Sequence, residues 1–105
     1  MVTLKCRGDT PIQKLAGAIA NNLRSGNDVC VSVIGAPVLN QAIKAVIVAR
    51  KYLKKDENPF DLVVQPSFEI KSLNDKVQNY TLINLNIYKT DYVEEKAVND
   101  DYQQN

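Results

Sequence analysis

Val2, Leu4 and Cys6 alternate with Thr3, Lys5 and Arg7. That period of two predicts a strand with one buried face. Gly8-Asp9 is a turn signal. Thr10 then occupies a helix N-cap position, with Pro11 at the first helical place and Gln13 completing a capping box. Ile12, Leu15, Ala16, Ile19, Ala20 and Leu23 recur at helical spacing and form one apolar face. Gly26 is placed to end this helix in a left-handed conformation.

Val29, Val31 and Val33 alternate with Cys30 and Ser32, which predicts a second strand. Gly35 supplies the next turn. A second helix is expected from about Pro37 to Leu53, apolar nearly all round, as helices buried on more than one side are. Asn40, Lys44, Lys51 and Lys55 form its one polar stripe. Asn58-Pro59 stops the chain before a third strand that begins at Leu62. Pro66 lacks a ladder donor, so this strand belongs at a sheet edge or a bulge. Leu73 to Lys76 reads as a hairpin turn. In the fourth strand Ile83, Leu85 and Ile87 face inward and Asn84, Asn86 and Tyr88 outward.

The order β-α-β-α-β-β predicts an α/β fold of the α+β two-layer type: a four-stranded mixed sheet with two helices on one face. The first two strands should be parallel through a right-handed crossover, the last two an antiparallel hairpin. The 105 residues fit one domain, over 1–89, followed by an acidic, loosely ordered tail over 90–105.

Charge divides along the same boundary. Residues 1–89 hold 12 Lys/Arg against 7 Asp/Glu, a net of +5, whereas 90–105 hold one lysine against five acids, a net of −4. A basic body favours polyanionic partners, and an acidic tail can compete with them. No apolar run reaches membrane-spanning length, and the N-terminus shows no signal-peptide pattern, so a cytoplasmic protein without a membrane partner is expected. Two cysteines do not make a disulfide framework. A Cys6–Cys30 bridge between neighbouring strands is geometrically open, but a cytosolic compartment favours reduced thiols. With no histidine and two cysteines, the usual zinc ligand set is missing, and neither metal nor cofactor is expected. No pair of carboxylates has a spacing that assures convergence for acid–base work, and neither cysteine has an activating partner that the sequence identifies. The expectation is a non-catalytic protein.

The run Ile34-Gly35-Ala36, Val38-Leu39-Asn40-Gln41-Ala42-Ile43-Lys44-Ala45-Val46 and Ala49-Arg50 resembles the second-helix signature of the stage V sporulation protein S (SpoVS) family. Pro11, Leu15 to Ala20 and Leu23-Arg24 resemble the family's first helix, and Asp61-Leu62 with Pro66-Ser67-Phe68 its third strand. SpoVS proteins look like members of the Alba superfamily of small nucleic-acid-binding proteins. The resemblance implies a homodimer formed through the second helix and the adjoining sheet. It also implies that the loop after strand one, the start of helix two and the last hairpin face DNA or RNA.

On those surfaces the candidate nucleic-acid-binding residues are Arg7, then Asn40, Gln41 and Lys44, then Lys71 and Lys76. Lysine and arginine neutralise phosphates, while amides hydrogen-bond phosphates, sugars or base edges. Each has a plainer role beside it. Lys71 and Lys76 are ordinary hairpin-tip residues, Asn40 and Gln41 cap a helix or join a dimer network, and Lys44 pairs with an acid across a dimer. Gly8-Asp9-Thr10 and Gly35-Ala36-Pro37 stand where Alba proteins tend to be basic, which implies fewer phosphate contacts. Gly35-Ala36-Pro37 is a weak anion-loop signal, with one glycine and a proline that removes a donor. A protein-interaction or regulatory scaffold module with the same dimeric core is the rival reading.

Overall fold

The computed structural model describes residues 1–72 and 79–92. The elements are β1 (Val2–Lys5), α1 (Ile12–Arg24), β2 (Val29–Val33), α2 (Ala36–Lys54), β3 (Asp61–Ser72) and β4 (Asn79–Thr90). They form one sheet in the order β1-β2-β4-β3, with β1 parallel to β2 and the other pairs antiparallel. The expected element order and mixed sheet are therefore the observed ones. Pro66 sits on the edge strand β3, where its missing N–H breaks no inner ladder.

Strand alternation sorts the residues by face. Val29, Val31 and Val33 of β2 and Leu85 and Ile87 of β4 are buried, and they pack with Leu15, Ala16, Ile19, Ala20 and Leu23 of α1. Ala42, Ala45, Val46, Ala49 and Leu53 of α2 complete the core. The alanines let the two helices approach closely over the sheet, where larger residues would hold them apart. Among the described residues no helix covers the opposite sheet face, which carries Thr3, Lys5, Ser32, Asn84 and Asn86 beside Cys30 and Leu82.

One local expectation needs correction. Thr10 does not cap α1: its hydroxyl accepts the Arg7 backbone N–H at 2.9 Å, closing the β1–α1 turn. The helix instead starts after an extended Pro11, with no side-chain cap, so no capping box with Gln13 forms. Ile43 and Ile47, among the apolar residues of the second helix, are 39% and 47% exposed. β4 runs through Thr90. Two other signals hold. Gly26 (φ 85°) follows the end of α1, and Gly35 (φ 91°) turns the chain from β2 into α2. The Leu73–Lys76 turn and the tail beyond residue 92 lie outside the described residues.

Both cysteines are free and buried. Cys6 packs with the core between sheet and helices, whereas Cys30 sits in register with Thr3 on the other face, so the alternation that buries each thiol also keeps the two apart. Burial pushes the Cys6 thiol pKa above its ordinary value.

Candidate nucleic-acid interface

Arg7 is exposed in the short loop that Thr10 closes. The adjacent Cys6 thiol points at the Val38 carbonyl at 4.0 Å, so this loop abuts the first turn of α2. Asn40 and Lys44, one turn apart on α2, are both exposed, and Gln41 is half-buried. Gly35 stands at the α2 N-cap with no side chain to cap it, and among the described residues Asn40 makes no side-chain hydrogen bond. The Arg7 loop thus lies by the first turn of α2, and Asn40, Gln41 and Lys44 follow from there to the middle of the helix. Lys71 lies elsewhere, exposed on β3 opposite Tyr80. Lys76 falls outside the described residues.

The open sheet face holds a group of residues that the expected site left out. A trough of about 340 Å³ lies there, lined among others by Thr3, Lys5, Ser32, Lys71, Leu82 and Asn84. Ser32 and Asn84 are register partners on the two central strands, and the Ser32 hydroxyl donates to Asn84 Oδ1 at 2.7 Å. The Asn84 amide in turn donates to Glu69 at 3.1 Å. Lys5 and Lys71 come from the two edge strands. The signal for Lys5 was present in the sequence, since it alternates with Leu4 and Cys6 and must face away from the helices. Its convergence with Lys71 was not, because that depends on strand order.

Charge pairing is uneven over the surface. Arg24 holds Asp56 at 2.8 Å, and Arg50 holds Asp61 at 2.8 Å. Among the described residues Lys5, Arg7, Lys44 and Lys71 are exposed and make no ion pair. Arg50 and Asp61 also join two stretches of the sequence signature, the end of the α2 run and the opening of β3.

A model of the family described as Stage V sporulation protein S (SpoVS) matches residues 2–90. The chain belongs to the SpoVS family. The match spans every element from β1 to β4, so the Arg50–Asp61 link and the trough both lie inside the SpoVS domain. No helix of the described residues in this SpoVS domain is long and apolar enough to cross a membrane. Among the same residues no three His, Cys, Asp or Glu side chains gather into a group suited to a metal ion.

Proposed function

We propose that this SpoVS-family chain is a non-catalytic nucleic-acid-binding protein, acting on DNA or RNA as a cytoplasmic homodimer. The observation that carries the reading is a group of exposed cations, Lys5, Arg7, Lys44 and Lys71 among them, that make no ion pair among the described residues, while Asp56 and Asp61 are held by arginines. Unpaired surface lysines and arginines are what phosphate neutralisation and counterion release require. Asn40 and Gln41 beside Lys44 add amide donors for phosphate or sugar. Lys76, close in sequence to Lys71 and outside the described residues, is a further positive charge. The family's description points to sporulation as the process served.

The dimer contact is assigned to α2. Ile43 and Ile47 lie one turn apart on its exposed face. Phe68 and Ile70 of β3 share the strand parity of the inward Val64, so they project on the helix side of the sheet, 70% and 63% exposed. Exposed apolar groups on two adjacent elements suit an interface between copies. The same residues support a second reading, a protein-interaction module in which Phe68 and Ile70 meet a different protein.

Titration with single- and double-stranded DNA and RNA at low and moderate salt separates the two. Micromolar binding that weakens with salt, and weakens further with Lys44→Glu or Lys71→Glu, fits nucleic-acid recognition. No binding of any of the four at low salt removes it and leaves the interaction module.

A further inference from the structure

The trough on the open sheet face has three properties in combination. Its floor is hydrogen-bonding: Ser32 and Asn84 are locked to each other at 2.7 Å, which fixes their remaining donor and acceptor positions. Its rims are cationic, with Lys5 on one edge strand and Lys71 on the other, neither in an ion pair among the described residues. Tyr80 and Leu82, on β4, supply flat and apolar surface. Glu69, also in its lining, is engaged by the Asn84 amide. At about 340 Å³ the space is at the low end of the range of roughly 300–1,000 Å³ that holds a small organic ligand.

These features match the chemistry of one nucleotide: a flat base with polar edges, flanked by phosphates. A duplex offers a different surface. Its bases are stacked inside, and only backbone and groove edges are presented, so it cannot place a base on a recessed floor. Single strands expose base faces that stack on aromatic and apolar side chains while a basic groove follows the backbone.

We propose that the trough seats one nucleotide of a single-stranded nucleic acid, its base against Tyr80 and Leu82 and its flanking phosphates met by Lys5 and Lys71. This rests on the nucleic-acid reading above and narrows it to strand preference and to a particular place. Arg7 beside the first turn of α2 and Lys44 midway along it serve the general backbone attraction for single strand and duplex alike. The trough adds affinity that only an unpaired strand can use.

The test is fluorescence anisotropy on the full chain with a labelled oligothymidylate, a labelled oligouridylate and a duplex of the same length. Two trough variants are compared with wild type: Thr3→Trp, which fills the space from an exposed edge position, and Lys5→Glu, which reverses one rim charge. Single strands should bind about tenfold tighter than duplex, and each variant should lose about tenfold toward single strands. Duplex affinity should stay within about twofold for Thr3→Trp, which alters no charge, and should fall less than single-strand affinity for Lys5→Glu, whose reversed charge also weakens the general backbone attraction. Thermal unfolding checks that both variants fold, and Lys5→Glu carries the test alone if Thr3→Trp does not. Wild-type binding with no strand preference and no effect of folded variants overturns the trough assignment while leaving nucleic-acid binding intact. Absence of binding to every probe overturns both. Displacement of the strand by free thymidine or uridine monophosphate at matching affinity also overturns it, because the site then belongs to a free nucleotide.

Discussion

Arg50 grips Asp61 with two parallel hydrogen bonds, Nε to Oδ1 at 2.8 Å and Nη2 to Oδ2 at 2.9 Å. The Leu62 backbone N–H donates to the same carboxylate at 2.7 Å. Asp61 is 2% exposed, and it is the first residue of β3, so the pair fastens the last turns of α2 to the start of the edge strand. A buried carboxylate held this way is costly to strand, since breaking one side leaves an uncompensated charge.

Removing the guanidinium should therefore be felt strongly. Arg50→Ala is expected to cost about 3 kcal/mol, the low end for a broken buried pair because Arg50 keeps some contact with water. Asp61→Asn keeps a neutral acceptor for Leu62 and should cost less, about 1–2 kcal/mol. Urea denaturation followed by circular dichroism measures both. Equal stability of Arg50→Ala and wild type contradicts the role given to the pair.

The same pair sets an acid limb of stability. Hydrogen bonding from Arg50 is the largest cause holding the Asp61 pKa below its ordinary value, against desolvation that raises it. A depressed folded-state pKa means the unfolded chain takes up the proton first. The pair's stabilisation is then fully present above the unfolded value, about 3.9, and is lost as pH falls through the lower folded value. Chemical denaturation midpoints should drop for wild type below about pH 4. The drop should be shallower for Asp61→Asn, and parallel limbs in the two proteins would place the titration elsewhere.

Gly35 takes φ 91° and ψ 148° at the entry to α2, a region of backbone space that is nearly glycine-only. A Cβ there would meet nothing nearer than the Pro37 ring at 4.0 Å, so crowding is not the issue. The strain alone should make Gly35→Ala destabilising by about 1–3 kcal/mol. Gly8→Ala, at a glycine without positive φ and with open space around it, is the matched control and should be near neutral. Similar melting temperatures for the two variants would contradict this account.

Ile43 and Ile47 give the proposed dimer a direct test. Placing charge on that face with an Ile43→Glu, Ile47→Glu double variant should convert a dimer to a monomer in sedimentation velocity, with circular dichroism unchanged. A wild-type chain that sediments as a monomer at tens of micromolar, or a double variant that remains dimeric, rules out this face as the contact.

Much of this was legible from local pattern. Period-two alternation located β1, β2 and β4 and told their faces apart, and helical spacing located α1. Gly26 and Gly35 marked turns because few other residues adopt their backbone angles. Pro66 declared an edge strand through its missing donor. These signals need only a residue and its sequence neighbours. The α1 cap misled for the opposite reason: Thr10 had a local partner in prospect, but the Arg7 amide, three residues back, claimed its hydroxyl.

The sequence by itself determined the element order, the family signature from Ile34 to Arg50 and the imbalance of charge between body and tail. Strand order decided the rest. Putting β4 between β2 and β3 sets Ser32 beside Asn84, 52 residues away, and brings Lys5 and Lys71 to the rims of one trough. Chain reversal at Asn58-Pro59 returns Asp61 to Arg50. Tertiary packing also decides that Ile43 and Ile47, on a helix apolar on paper except for one polar stripe, stay uncovered in the single chain. Such contacts depend on which elements become neighbours in space, and periodicity along one segment carries no information about that.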